Sequence, residues 1–338
     1  MADSLLARVG GVTLTQLAYA VAVDTHRHFG AAADACNVTQ PPLSMQLRKL
    51  EQTLGGPLFE RRRAPVVPTT MGRAVLDRAR VVLNEAALLA EAAAAQEHAL
   101  VGEVRVGVIP TLAPHLVPEV VTLLAERHPR LELVVEERVT DEILARVESG
   151  ALDAGLIASA AASPTLAERP LFREPFVGYV SPGHRLAGAA RITPADLSLD
   201  DLWLLSDGHC LRAQAVALCR RRGGRKGRDA GVLGARLESG NVDTLRRLVE
   251  RGRGMTLLPA LAAADLLDEE RRALLRPFAP PAPTRDVRVV QPRARADDRR
   301  VAAVADAVLA AAASERMRRA GVQATRPARP ALPARRER

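Results

Sequence analysis

The sequence predicts an α/β fold preceded by an all-α amino-terminal part. Three observations carry that expectation. Residues 14–50 place apolar side chains at helical spacing around a pair of prolines; Val75, Val82 and Leu89 recur every seven residues in a longer stretch; and from Gly102 onward short alternating runs exchange with helical patterns. A chain of 338 residues that is 48% hydrophobic holds enough material for a sizeable core and two or three compact domains.

Taken in order, Leu17, Val21 and Val23 after Leu14 predict a first helix. Phe29 to Ala35, built largely from small side chains that allow close packing, predicts a short second one. The turn Cys36-Asn37-Val38 follows, with Cys36 read as a packing residue. Thr39 is a good N-cap, and Pro41 and Pro42 fall in a first turn, where a missing N–H is harmless. In this third helix Leu43, Leu47 and Leu50 face the core, leaving Gln40, Pro41, Ser44 and Arg48 outward. Two helices joined by a short turn, the second exposing amide, hydroxyl and guanidinium groups, suit insertion into the major groove of double-stranded DNA. Gln40 can pair with adenine, and Arg48 can reach guanine or a phosphate.

A long helix, roughly Gly72 to His98, comes next. Its seven-residue repeat, with Ala79, Ala86 and Ala93 between, reads either as a dimer seam or as an ordinary amphipathic face. Beyond Gly102, taken as a hinge, strands are expected at Val104/Val106/Val108, Leu131/Leu133/Val135, Gly155-Leu156-Ile157, Phe176 to Val180 and Trp203-Leu204-Leu205, with helices between them.

Charge is informative mainly by where it lies. Net charge is +9, yet residues 316–338 hold eight arginines against one glutamate, so seven of the nine excess charges sit in a Pro- and Ala-rich tail expected to be disordered. Three cysteines form no disulfide framework, no signal sequence opens the chain and no run of about 18 apolar residues occurs, so a cytoplasmic, non-membrane protein is expected.

Cys210 and Cys219 carry the chemistry. A peroxide-reactive cysteine must be available as thiolate, which a helix N-terminus or nearby cations favour, and His209 adjoins Cys210. If Leu211 to Leu218 is helical, the two cysteines stand ~13.5 Å apart on opposite faces, beyond the roughly 7 Å a disulfide tolerates. Joining them requires unwinding, so a bond between them would be a conformational switch. Taken alone, a cysteine pair nine residues apart is more often two bystanders.

The run Phe29-Gly30-Ala31-Ala32-Ala33-Asp34-Ala35-Cys36-Asn37-Val38-Thr39-Gln40-Pro41-Pro42-Leu43-Ser44, then Leu47-Arg48-Lys49-Leu50-Glu51, Leu58-Phe59-Glu60-Arg61 and Thr69-Thr70-Met71-Gly72, closely resembles the winged helix-turn-helix of LysR-type regulators. The resemblance implies operator contacts from Thr39, Gln40, Pro41, Pro42, Ser44 and Arg48, with Arg61 and Arg62 on the wing near phosphate. It also implies the arrangement 12–71 winged helix-turn-helix, 72–101 linker and dimerisation helix, 102–315 effector domain and 316–338 tail. The effector domain would have two subdomains similar to periplasmic binding proteins, crossing near Thr165 to Arg173 and returning near Pro277.

The segment from Ser206 through Gly208-His209-Cys210-Leu211-Arg212 to Cys219 resembles the redox segment of the OxyR-like, peroxide-sensing branch of that family. That implies Cys210 as the peroxidatic thiol, oxidised first to sulfenic acid, and Cys219 as its resolving partner. Thr111, Thr140, His209 and Arg285 match the branch's peroxide pocket: Thr111 capping the helix after Pro110, the threonine hydroxyls bonding peroxide, Arg285 favouring the thiolate. The implied partners are promoter DNA, hydrogen peroxide, a second or third and fourth copy of the chain, RNA polymerase and a thiol reductant, with no metal and no cofactor. The loop Arg220 to Arg228 is longer and more basic than the branch's pattern; it reads as a solvated insertion or as a cationic patch lowering the Cys219 pKa. Two other functions compete: a regulator gated by a small metabolite in the effector cleft with silent cysteines, and a thiol peroxidase-like enzyme, against which the DNA-reading half argues.

Overall fold

A computed structural model of the chain describes residues 10–60, 65–94, 100–220, 240–266 and 268–324. They form two units. The amino-terminal one begins with α1 (Leu14–His26), opened by a capping box in which Gln16 N–H donates to Thr13 Oγ1 at 3.2 Å and Gln16 Oε1 accepts from Thr13 N–H at 3.1 Å. The second helix, α2 (Phe29–Ala35), is capped by His28, whose Nδ1 accepts from Gly30 and Ala31. Asn37 then takes a left-handed φ of 53°, a conformation asparagine tolerates better than most residues, and turns the chain into α3 (Gln40–Leu54).

Leu43, Leu47 and Leu50 are fully buried in one cluster with Leu17, Ala20, Val23 and Leu58. Cys36 packs against that cluster, and burial raises its thiol pKa. A two-stranded wing follows, β1 (Phe59–Glu60) antiparallel to β2 (Val67–Pro68). Its base is tied by Thr69, whose hydroxyl donates to the Pro57 carbonyl at 2.8 Å and accepts from Gly72 N–H at 2.9 Å. A Cβ at Gly72 would sit 2.0 Å from the Leu58 carbonyl oxygen, so only glycine fits where helix and wing meet. The long helix, α4, runs Thr70–Ala94, starting two residues earlier than the sequence suggests because Thr69 caps it.

In the second unit, β3 (Gly102–Val108) pairs in parallel with β4 (Leu131–Glu137) and β5 (Ala154–Ile157), joined by α5 (Ala113–Arg127) and α6 (Thr140–Glu148). The 15-residue β6 (Leu166–Val180) is the crossover. The next helices are α7 (Cys210–Arg220) and α8 (Val242–Glu250), followed by β7 (Met255–Pro259), α9 (Ala260–Ala264), α10 (Glu269–Arg272) and β8 (Leu275–Pro277). The returning strand β9 (Thr284–Pro292) lies antiparallel to both β5 and the first part of β6, whereas β7 and β8 pair with the last part of β6. One strand thus serves two sheets. The chain closes with α11 (Arg299–Ala312), packed on α5, then α12 (Glu315–Arg319) and β10 (Gln323–Ala324).

Three expectations need correction. Trp203 to Leu205 is not a strand: only Leu202 bridges Met255, and Trp203 directs its indole N–H to the Arg253 carbonyl at 2.9 Å. The tail does not begin at 316, because Met317 and Val322 are buried and β10 pairs with Phe172 and Arg173 of β6. The charge-based reading overlooked these two apolar anchors among the arginines. The crossover strand extends to Val180, past the expected Arg173. Residues 325–338, Arg61 and Arg62, and the basic loop beyond Arg220 lie outside the described residues.

Among the described residues no helix is long and apolar enough to cross a membrane. Because Leu47 is fully buried in the α3 stripe, Leu47→Ala is expected to destabilise the amino-terminal unit by about 2–5 kcal/mol. Thermal unfolding followed by circular dichroism would show an unchanged midpoint if that stripe were not core.

Candidate functional site

On the amino-terminal unit, α3 turns its leucines inward and leaves Gln40, Pro41, Pro42 and Arg48 exposed, with Ser44 half-buried. Thr39 occupies the N-cap, but its side chain makes no capping hydrogen bond, so the hydroxyl is not committed to the helix end. These six side chains lie on the first turns and outer face of one helix, the placement that major-groove contact requires.

In the second unit the redox segment enters through Gly208, whose φ of +88° suits glycine, and His209; α7 then begins at Cys210 itself. Arg212 anchors the entry, donating to the Leu205 carbonyl at 3.2 Å and pairing with Asp207 at 2.8 Å. The helix is amphipathic. Leu211 and Ala215 are buried in the core cluster, and Leu218 and Cys219 pack against it. Cys210, Ala213, Gln214 and Ala217 instead line a cavity of about 490 Å³, with Thr140, Ser159, Gly208 and His209 on its other sides. Cysteines nine residues apart on one helix point in opposite directions, ~13.5 Å apart along its axis, and both thiols are free.

Two polar atoms at this cavity are buried with no hydrogen-bond partner, Thr140 Oγ1 and Gln214 Oε1. Gln214 was not picked out from the sequence. It lies one turn after Cys210, on the same face, and its Nε2 donates to the Ala158 carbonyl at the end of β5 at 2.6 Å, pinning α7 to the first sheet. The signal was present as the i, i+4 spacing from Cys210 on an amphipathic helix.

The remaining members of the expected pocket are arranged differently. Arg285 and Glu174 stand directly opposite one another on β9 and β6, both side chains fully buried, with Nε to Oε2 at 2.8 Å. Arg285 also donates to Thr111 Oγ1 at 2.8 Å and to the Thr111 carbonyl at 3.2 Å, while Glu174 Oε1 accepts from Leu261 N–H at 2.7 Å. Thr111 therefore does not cap α5, whose N-cap is Leu112; its hydroxyl is drawn to the guanidinium instead. The structure brings Thr140, His209 and Cys210 together and, separately, Thr111 and Arg285. His209 links the two groups, because it also lines a larger cleft of about 980 Å³ together with Thr111. Across that cleft His115 Nδ1 of α5 meets Asp265 Oδ2, just past α9.

Burial shifts both His209 and Cys219. Burial, opposed by Glu137, lowers the His209 pKa below its ordinary 6.5, which favours the neutral imidazole, a hydrogen-bonding group. Burial and, after it, the charge of Asp201 push the Cys219 thiol up to about 11. Asp201 is itself held by His184 at 2.9 Å and Arg185 at 3.3 Å. The described surroundings of Cys219 thus act against the lowered pKa that the basic loop suggested.

With this geometry in hand, similarity to known proteins is extensive. Residues 14–73 match the helix-turn-helix family described as "Bacterial regulatory helix-turn-helix protein, lysR family", and residues 97–313 match the LysR substrate binding domain. The chain is 39% identical over 251 residues to the hydrogen peroxide-inducible genes activator of Dickeya chrysanthemi, covering 74% of this chain and 80% of the relative. It is 37% identical over 281 residues to the DNA-binding transcriptional dual regulator OxyR of Escherichia coli, covering 82% and 89%. Among solved structures, a full-length cysteine-to-aspartate variant of OxyR from Pseudomonas aeruginosa aligns with a TM-score of 0.74 at 31% identity over 88% of this chain and 97% of that one. A hydrogen peroxide-bound cysteine-to-serine variant of Corynebacterium glutamicum OxyR aligns at 0.60 with 31% identity, over 91% and 95%.

Two outcomes follow from the geometry. Since burial holds the folded Cys219 thiol above its ordinary value of 9.0, the group supports the folded state below about pH 9 and withdraws that support as pH rises toward 11. Alkylation of Cys219 in the reduced native protein should therefore show a midpoint near 11, falling toward 9 in urea; a native midpoint at 9 would remove the argument. Deleting one partner of the buried pair, as in Glu174→Ala, strands a guanidinium and should destabilise the second unit by about 3–5 kcal/mol in urea unfolding.

Proposed function

Because the chain belongs to the LysR family of bacterial helix-turn-helix regulators, within the group of hydrogen peroxide-inducible gene activators, we propose that it is a DNA-binding transcription regulator switched by hydrogen peroxide through Cys210 and Cys219. The observation that carries the peroxide reading is the cavity in which Cys210 shares walls with the two unpartnered buried oxygens of Thr140 and Gln214. A hydroxyl and an amide carbonyl on residues that line the same cavity as a thiol suit a small molecule that both donates and accepts hydrogen bonds, as hydrogen peroxide does.

The steps balance as follows. The Cys210 thiolate attacks one peroxide oxygen, the O–O bond breaks, and the departing hydroxide takes up a proton to leave as water, giving a sulfenic acid. Cys219, as thiolate, then attacks that sulfur; the S–O bond breaks, the departing hydroxide takes up the proton that Cys219 released and leaves as a second water, and the disulfide forms. Thr140 and Gln214 hold peroxide against the thiol, and neutral His209 orients it. Arg285 acts through Thr111, positioning the start of α5, since its donors are engaged there and at Glu174. Because α7 holds the thiols apart, the second step requires it to unwind and to release Gln214 from Ala158.

Thr39, Gln40, Pro41, Pro42, Ser44 and Arg48 are the operator-facing residues, with Arg61 and Arg62 assigned to phosphate by the sequence alone. On α4, Val82 and Leu89 are 44% and 76% exposed at a seven-residue spacing, which favours a dimer seam along this helix. A cytoplasmic setting, where thiols stay reduced until peroxide rises, fits such a switch. The 980 Å³ cleft favours one competing reading, gating by a small metabolite with the cysteines silent.

Peptide mass mapping of the reduced protein after micromolar peroxide, with thiol counting, tests the proposal. The wild type should lose two thiols and yield a Cys210–Cys219 peptide, Cys219→Ser should stop at the sulfenic acid, and Thr140→Val should slow the first step about tenfold, a loss comparable to removing one stabilising hydrogen bond. Survival of both thiols, with a normal promoter response in Cys210→Ser, would hand the function to a cleft-bound metabolite.

A further inference from the structure

The outer face of α3 has an apolar centre. At 100° per residue, Leu43, Leu47 and Leu50 cluster within about 60° of one another, and the direction opposite that stripe falls on Met45. Its neighbours in the outward row are Pro41, Arg48 and Gln52, spaced i, i+4, i+7 and i+11. Met45 is 62% exposed, and nothing in the core of the unit holds it. The residue beside it is committed elsewhere: Gln46 Oε1 accepts from Gln16 Nε2 of α1 at 3.2 Å. The DNA-facing residues named above flank this row mainly on one side, with exposed Lys49 on the other.

The occupant of such a face can be argued from its chemistry. Cationic groups on either side, Arg48 and Lys49, suit phosphates, and among base-pair edges in the major groove the thymine 5-methyl is the one apolar group on display. An unbranched, polarisable thioether adapts its three torsions to a small apolar target. We propose that Met45 is a specificity-determining residue whose side chain packs against the 5-methyl of a thymine in the stretch of operator that α3 covers. This rests on reading α3 as the helix that enters DNA.

The experiment starts from duplexes selected by the full-length reduced protein out of a random-sequence pool. Each thymidine is then replaced singly by deoxyuridine, which removes the methyl and keeps the base pair, and Kd is read by fluorescence anisotropy. In wild type, one replacement in the stretch under α3 should raise Kd about fourfold, the effect of leaving one methyl-sized contact unmade. In Met45→Ala that ratio should fall to one at the same position, while Met45→Leu keeps most of it. Equal thermal midpoints for the three proteins separate a lost contact from a lost fold. A uniform response to deoxyuridine at every position, or discrimination that persists in Met45→Ala, overturns the proposal. Failure to select any duplex overturns the reading of α3 itself, and this proposal with it.

Discussion

The second unit is organised around the buried pair of Glu174 and Arg285. Two charges removed from water are stable only when their remaining hydrogen-bonding capacity is met. Here it is met by three further hydrogen bonds: the guanidinium, paired with Glu174, also reaches Thr111 twice, and the carboxylate takes the Leu261 N–H. These partners come from just before α5, from β6 where it crosses between sheets and β9 opposite it, and from the second residue of α9. The pair therefore fixes one point that both halves of the unit share. The cleft lined by Thr111, His209, Leu258 and Asp265 has its shape set from there. An apolar substitute for the pair would fill the space but would specify neither threonine orientation nor strand register.

Around that fixed point, α7 is held less firmly, and the difference is functional. Its inward face contributes Leu211 and Ala215 to the core, with Leu218 and Cys219 packed alongside, while its cavity face is tethered to Ala158 by a side-chain hydrogen bond from Gln214. Both thiols belong to this one helix, so a bond between them can only form at the expense of its hydrogen bonds. The protonated state of Cys219 adds a second safeguard. A thiol held near pKa 11 reacts slowly where it is, and exposure on unwinding returns it toward its ordinary range. Geometry and protonation thus place the same requirement on the second oxidation step: α7 must open first.

Much of this was legible in the sequence, and the gaps have physical reasons. The leucine spacing in α3, the turn at Asn37 and the two cysteines on one helix were readable because each depends on local spacing, whereas Gly72 was legible only through the family resemblance, its constraint being the Leu58 carbonyl on the wing. Thr111 was misread as a helix cap because its partner, Arg285, is 174 residues away, and no local rule weighs a nearby backbone against a distant guanidinium. The tail boundary was misplaced because arginine content masked Met317 and Val322, two side chains that anchor the segment to the core. Gln214 was passed over because its importance lies in what it lacks, a partner for Oε1, which only the assembled cavity reveals.

The electrostatics of Cys210 tie chemistry to conformation. A thiolate needs positive potential, yet His209 is neutral, Arg285 is neutralised by Glu174 and Arg212 is paired with Asp207. Cys210 is the residue that begins α7, where a helix end presents N–H groups and the positive end of its dipole. That source exists only while α7 is helical. On the function proposed above, joining Cys219 would consume the Cys210 thiol and unwind the helix end beside it, so reduction and re-formation of α7 would together return the site to its starting state.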